Sequence, residues 1–325
     1  GHHVRMVVRN PAKAAHALAL HGVDADAVEV FEADLTDHDR LASSLDGMDG
    51  LVHAGAVFSL DPRQARAMRE VNPTSTRVLL DEAARRGLHR VVHVSSMGVY
   101  APDRVDVAPG SPVGPECGAY TGSKIAADAV AVEHQQAGRP VVVVCPGGVL
   151  GPLDPSPELS DSMGMMRDWV RMGTVSLPRS LRIGFVDVRD VAAVCIGSLT
   201  TGNAPARHLL AGHLTSMTDV LSICAGLTGR RVRILGSPAW PLLAMGGLCD
   251  LVARTTGNKM PLTGETARLT VGNARAGGLR SVDQTSASEA FGFPGIPLEQ
   301  TLADTIRWMH SAGHLDARAA GDLVS

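Results

Sequence analysis

The chain has 325 residues, 45% of them hydrophobic and 19% charged, with a formal net charge of -3 at pH 7. A chain this long buries enough apolar surface to fold without disulfide or metal staples, which excludes the small stapled scaffolds. A charge so near zero offers no global field for nucleic acid or an anionic membrane, so the composition points to a small-molecule ligand.

Gly1-His2-His3 runs without pause into an apolar predicted strand, Val4 to Val8, so the chain is expected to start in mid-fold; a tag remnant would leave the same first residues. A helix from Ala12 to Leu20 follows, then strand Val28 to Phe31 with helix Arg40 to Leu45, and strand Leu51 to Ala54 with helix Arg63 to Arg86. Strand Val91 to Val94 leads into a Pro/Gly-rich loop from Ala101 to Gly118, a helix from Tyr120 to Gln136 and strand Val141 to Val144. Strands that are nearly all apolar belong to sheets covered on both faces, and strand-helix alternation at this spacing means right-handed crossovers. Residues 1–152 are therefore expected to form a doubly wound parallel Rossmann sheet. Beyond Pro146 the regularity fades into a turn-rich hinge, Gly151 to Pro157. Residues 153–325 are expected to form a smaller α/β substrate lobe, with roughly 183–200 returning to the Rossmann core. The most apolar stretch, Trp240 to Ala253, is too short for a membrane span and carries Pro241 and Asp250, so it reads as a core or interface helix. Five scattered cysteines without a C-x-x-C pair suggest neither disulfides nor zinc, and fit a reducing cytoplasmic setting. His310 and His314 lack a third ligand and read as a solvated helix end, so no metal is expected.

Tyr120 and Lys124 stand four residues apart, on one face of the helix that opens there. A phenol of pKa about 10 is a poor proton donor or acceptor at neutral pH, and a fixed ammonium nearby would lower that value. A solvated surface pair is the ordinary alternative. With two tyrosines and three lysines in the chain, a chance Tyr-x-x-x-Lys is expected at only about 2%. Ser95 and Ser96 sit where a strand runs out, the end at which open α/β sheets bind ligands; for Ser95 a capping or turn role is at least as good a reading.

These residues resemble the short-chain dehydrogenase/reductase superfamily, in its extended branch of epimerases, dehydratases, dihydroflavonol-type reductases and 3β-hydroxysteroid dehydrogenases. The resemblance covers most of the chain, with Val4 to Val8 as that family's second strand. Its landmarks are Asp34-Leu35, His53-Ala54-Gly55-Ala56, Val71-Asn72, Val94 to Tyr100, Tyr120-x-x-x-Lys124, Pro146 to Pro152 and Phe185 to Ala192, in that order. The resemblance implies that Tyr120 moves the proton, that Lys124 holds the nicotinamide ribose, and that Ser96 polarises the substrate oxygen. It further implies that Asp34 and Leu35 meet adenine, that Ala54, Gly55 and Ala56 border the adenosine with Asn72 behind them, and that Pro146 and Val149 line the nicotinamide pocket. Each has a plainer alternative: Asp34 may only begin a helix, the small residues may only ease packing, and Pro146 may only end a strand. Arg9 ends a strand where an acidic residue would hold the NAD ribose and an arginine would accept the NADP 2′-phosphate, so NADP is expected, with NAD possible.

The family's glycine-rich phosphate loop occurs nowhere between a strand and a helix. In the order 3-2-1-4-5-6 the first strand is central, and its loss would open two internal sheet edges. The expectation is an N-terminally truncated portion of a longer enzyme, against the competing view of a degenerate, non-catalytic relative. The sequence reading is an NADP-dependent oxidoreductase interconverting a carbonyl and a secondary alcohol. An NAD-dependent nucleotide-sugar epimerase or dehydratase is the runner-up, and a non-catalytic NADP sensor is the reading from another class. The resemblance also implies a homodimer.

Overall fold

The computed structural model describes all residues except 60, 157–158, 201–205, 258–259, 261 and 325; Pro157, the last residue of the expected hinge, lies outside the described residues. The first part of the chain alternates as its apolar runs require. It comprises β1 (Arg5–Val8), α1 (Pro11–Leu20), β2 (Glu29–Glu32), α2 (His38–Ser43), β3 (Gly50–His53), α3 (Ala65–Arg85) and β4 (Arg90–Val94). Then come β5 (Asp106–Val107), α4 (Ala119–Gln136), β6 (Val141–Pro146) and β7 (Gly148–Leu150). The C-terminal part adds α5 (Asp161–Arg171), β8 (Thr174–Leu177), β9 (Arg182–Asp187), α6 (Val188–Thr200), β10 (Arg207–Leu210), β11 (His213–Ser216) and α7 (Met217–Thr228). It ends with β12 (Arg233–Gly236), α8 (Pro241–Thr256), α9 (Gly264–Ala276), β13 (Ser281–Val282), α10 (Thr285–Phe291), α11 (Leu298–Ser311) and α12 (Ala317–Ala320).

The fold is α/β and Rossmann-like, with its parallel strands in two ladders: β1-β2, and β10-β6-β4-β3. Among the described residues β1 pairs only with β2 and β3 only with β4. Alternate residues of the longer ladder pack on opposite sides. Val91, Val143, Cys145 and Leu209 meet α2, α3 and α4, whereas Val92, Val142, Val144 and Leu210 meet α6, α10 and Phe293. Both faces are covered, and that is why these strands read as unbroken valine runs. Each such side chain contributes about 1.5 kcal/mol or more of burial. Besides α6, strand β10 also joins this ladder, through a parallel pairing with β6 that no apolar run in the sequence announced.

A separate apolar cluster, with Met163, Met166, Phe185, Met217, Val220, Leu302, Ile306 and Met309, holds α5, α7, α11 and β9 together. The apolar stretch expected as a core or interface helix is α8. It is no core helix: Trp240 is 67%, Leu248 62% and Leu251 59% exposed, and only Gly246 and Ala253 are buried. Among the described residues no helix is long and apolar enough to cross a membrane.

Candidate functional site

Ser96 lies just beyond the carboxyl end of β4, where the backbone tightens into a 3-10 turn over Met97–Tyr100. Its Oγ accepts from the Gly98 amide at 3.0 Å and from the Tyr120 phenol at 3.3 Å. With both acceptor positions used, Ser96 keeps its hydroxyl proton as the one donor it can offer a further group. Tyr120 is the second residue of α4, and Phe58, from the loop after β3, meets its ring edge-on with centroids 4.7 Å apart. Gly98 keeps the corner open, since a Cβ there would stand 3.1 Å from Ser96 Oγ and 3.7 Å from Tyr120 Cε1.

Lys124 lies one turn further along α4, buried, and its Nζ donates to the Val94 carbonyl at 3.2 Å. Ser96, Tyr120 and Lys124 thus gather over the end of β4, as their spacing expects. The electrostatics differ from the expectation. The phenol pKa is raised, first by burial and further by the Glu265 carboxylate, against a lowering from the bond to Ser96. Lys124 is not among the causes, and burial brings its own pKa down to about 8. Its ammonium serves a strand carbonyl, and desolvation decides both values.

Behind this corner is a polar network that sequence reasoning missed. Asp128, one further turn along α4, accepts from Ser95 Oγ at 2.6 Å and from both Arg207 terminal nitrogens, at 3.0 and 2.9 Å. Arg207, from β10, also donates to the Tyr100 hydroxyl at 3.2 Å and approaches Cys145 Sγ at 3.3 Å. Ser95 is therefore committed to Asp128, a partner that neither the capping nor the turn reading named. The spacing Tyr120, Lys124, Asp128 on one helix face could have exposed the aspartate; Arg207 gave no local signal. Neighbouring His53 and His93 face one another across β3 and β4 with ring centroids 5.4 Å apart. His53 shares a 3.1 Å bond with Thr76 Oγ1, and both nitrogens of the buried His93 lack a partner among the described residues. Burial holds both rings neutral, with the His53 pKa lowered to about 4.

The residues assigned to a dinucleotide divide. Arg9, at the end of β1, stands 3.8 Å from Asp34 with its side chain 81% exposed. Asp34 accepts from the Thr36 amide at 2.9 Å and its hydroxyl at 2.7 Å, which lowers its pKa. It does not begin α2, because Asp37 caps that helix. Leu35 packs on the core and lies 3.4 Å from where a Gly55 side chain would start, while Ala54 and Gly55 are exposed and Ala56 is partly covered. Asn72 is committed inside the protein: its amide bonds both the N–H and the carbonyl of Val57, at 2.7 and 2.9 Å, and Ser123 Oγ at 3.0 Å. It ties the loop after β3 to α3 and α4 instead of facing a ligand. Pro146 is buried at the end of β6, and Val149 packs from β7 against the sheet. The donor set thus suits an adenosine corner at Arg9 and Asp34 and a nicotinamide corner at Tyr120 and Lys124. Between β1 and α1 the turn is Arg9-Asn10-Pro11, with Asn10 capping the helix and the proline in its first turn.

A surface groove of about 540 Å³, lined by Pro178, Arg179, Ser180, Ser237 and Arg275 among others, shares no residue with this cluster.

Comparison with known proteins agrees with the geometry. Residues 1–212 match the NAD dependent epimerase/dehydratase family. The chain is 27% identical over 293 residues to a putative dihydroflavonol 4-reductase of Synechocystis sp., covering 87% of this chain and 82% of that protein. It is 30% identical over 242 residues to cinnamoyl-CoA reductase 1 of Arabidopsis thaliana, covering 70% and 68%. Among solved structures, gox2253 superposes with a TM-score of 0.72 at 22% identity, over 97% of this chain and 100% of that one. UDP-glucuronic acid 4-epimerase from Bacillus cereus, in complex with NAD, superposes with a TM-score of 0.69 at 14% identity, over 96% and 91%.

Proposed function

The chain belongs to the NAD dependent epimerase/dehydratase family, and from that premise we propose that it works as an NADP-dependent reductase, turning a carbonyl into a secondary alcohol with Tyr120 as proton donor. The observation that carries this reading is the 3.3 Å bond between the Tyr120 phenol and Ser96 Oγ at the carboxyl end of β4. A bound reduced nicotinamide would supply the hydride. The chain's own residues do the rest. Ser96 directs its hydroxyl proton at the carbonyl oxygen and holds it beside the phenol; Tyr120 passes its proton to that oxygen as the alcohol forms. A phenol whose pKa is raised by burial keeps its proton at neutral pH, which suits donation better than abstraction. The overall reduction takes up a proton, so its equilibrium is favoured at lower pH and alcohol oxidation gains as pH rises.

Lys124 and Tyr120 would hold the nicotinamide ribose, with Pro146 and Val149 beside them. Asp34, Leu35, Ala54, Gly55 and Ala56 would border the adenosine. The exposed guanidinium of Arg9 favours the 2′-phosphate of NADP over the bare ribose of NAD. The similarity to proteins named as reductases also supports reduction over sugar epimerisation.

The test is NADPH consumption against a panel of ketones, aldehydes and acyl thioesters, with Tyr120→Phe as control. General-acid loss should cut turnover by about a hundred- to ten-thousandfold while NADP still raises the melting temperature. Stabilisation by NADP with no consumption of NADPH on any carbonyl would overturn the proposal, as would a phenylalanine variant within tenfold of the unaltered chain.

A further inference from the structure

Helix α4 has only one half of a capping box of its own, in which Thr121 Oγ1 accepts from the Gly118 amide at 3.0 Å. The residue before it is Gly118, which has no side chain, and the first intrahelical bond runs from Gly122 N to Gly118 O at 3.0 Å. The amides of Ala119, Tyr120 and Thr121 are left over, as at any helix start. Two of them are taken by a carboxylate from far along the chain. Glu265, in the first turn of α9, accepts from Tyr120 N at 3.1 Å through Oε2, and from Thr121 N at 2.8 Å and Thr121 Oγ1 at 2.9 Å through Oε1. The glycine is what admits it, because a Cβ at Gly118 would overlap the Glu265 carboxylate. Nearby, Arg268 of the same α9 donates from Nε to the Cys117 carbonyl, a second tie between α9 and the entry to α4.

We infer that Glu265 is a positioning residue for Tyr120: it supplies from α9 the N-cap that Gly118 cannot, and so fixes the phenol over Ser96 while tying the C-terminal part of the chain to the reacting corner. One of the amides it holds is that of Tyr120 itself, so any slack at this contact moves the phenol directly. A carboxylate also complements the positive end of the helix dipole. Its charge has a second effect, since it opposes ionisation of the phenol. The titratable and charged groups around this contact are Arg69 from α3 with its partner Glu116, Cys117 ahead of α4, Arg268 on α9 and Lys124 one turn beyond Tyr120.

The inference rests on Tyr120 being the proton donor, and its test separates the two. In Glu265→Ala, amide exchange at Tyr120 and Thr121 should quicken roughly tenfold, the usual effect of losing a cap. This readout needs no turnover. Carbonyl reduction should fall about tenfold in kcat, with KM for the carbonyl little changed, as misplacement of one reacting group implies. Pairing Gly118→Ser with Glu265→Gly puts a local cap into the space the glutamate leaves, since the Glu265 Cβ, which would stand 2.7 Å from a Cβ at position 118, is then gone as well, and should restore both exchange protection and most of kcat. The alkaline limb of the pH profile should nevertheless stay below that of the unaltered chain in the double variant, because the cap has returned and the negative charge has not. Unchanged exchange in Glu265→Ala overturns the capping role. Restored exchange with kcat still low overturns the link to Tyr120. If Tyr120→Phe keeps its turnover, the reading of Tyr120 as proton donor fails, and the link to Glu265 fails with it, whereas the exchange result still judges the cap.

Discussion

The two parallel ladders differ in cover: the inner strands β4 and β6 of one are mostly or wholly buried, while β1 and β2 of the other are wet. All six residues of β6 are buried, while β1 and β2 leave Val7 and Val30 each 38% exposed. The polar groups follow the same division. Around β4, β6 and β10 they are buried and satisfy one another, as Arg207, Asp128 and Ser95 do. Around β1 and β2 they face solvent, as Arg9 does. A buried polar group costs desolvation that only its partners offset, whereas an exposed pair is worth little either way. Chemistry placed on the buried ladder is therefore tied to stability, and recognition placed on the wet ladder is nearly independent of it.

The largest effect should come from breaking the buried network. Asp128→Ala leaves the Arg207 guanidinium without its carboxylate, a loss of about 3–5 kcal/mol. Replacing Arg207 by Met in the same chain should recover much of it, because no lone charge then remains buried. Urea denaturation of the three chains measures this. A loss below about 1 kcal/mol for Asp128→Ala would mean that the guanidinium finds water, and the contrast between the ladders would fall.

Lys124 sharpens the contrast by pitting activity against stability. Its pKa is about 8 in the folded chain against an ordinary 10.5, so between those values the unfolded chain holds more protons and stability rises with pH. Below pH 8 the full cost of the buried ammonium is present. Lys124→Met should therefore abolish turnover yet fold more tightly near neutrality. The gain is about 2–3 kcal/mol from removing the charge, less about 1 kcal/mol for the lost bond to Val94 O. The advantage should shrink from pH 8 upward and reverse before 10.5, where only the lost bond to Val94 O remains. A pH series of unfolding free energies tests it, and a variant less stable at pH 7 would contradict the assignment.

A smaller effect of the same kind is expected at His93. Both its ring nitrogens are buried without partners among the described residues, so His93→Leu should be neutral or stabilising by up to about 1–2 kcal/mol. Thermal melts decide this, and a clear loss of stability would point to a partner at these nitrogens.

What the sequence disclosed follows the same line. Periodicity and apolar runs located the strands from Val4 to Val144 and most helices within a few residues, because covered sheets demand valine runs. Tyr120, Lys124 and Ser96 were legible because helix spacing and strand ends act over a few residues. Arg207 and Glu265 were not: each reaches its partner across 79 or 144 residues, and only tertiary packing brings them there. Trp240 to Ala253 could be read only as a core or interface helix, and the structure removes the core alternative, since hydropathy reports what a helix could bury and not whether anything covers it.

The last prediction concerns the wet ladder, where little stability is at stake. Among the described residues the Arg9 guanidinium pairs only with Asp34, at 3.8 Å and 81% exposed, so Arg9→Gln should change the unfolding free energy by no more than about 0.5 kcal/mol. Its effect on recognition should be far larger. If the guanidinium meets the 2′-phosphate, its removal costs one charge-assisted contact, about 1.5–3 kcal/mol, or roughly ten- to a hundredfold in kcat/KM for NADPH with NADH almost unaffected. The preference for NADPH should also weaken with added salt in the unaltered chain and less so in the variant, since an exposed pair is screened. The ratio of the two cofactors' kcat/KM at low and high ionic strength tests both statements. An unchanged ratio would move 2′-phosphate recognition away from β1, and a marked loss of stability would show that this ladder is not as independent of the fold as its exposure implies.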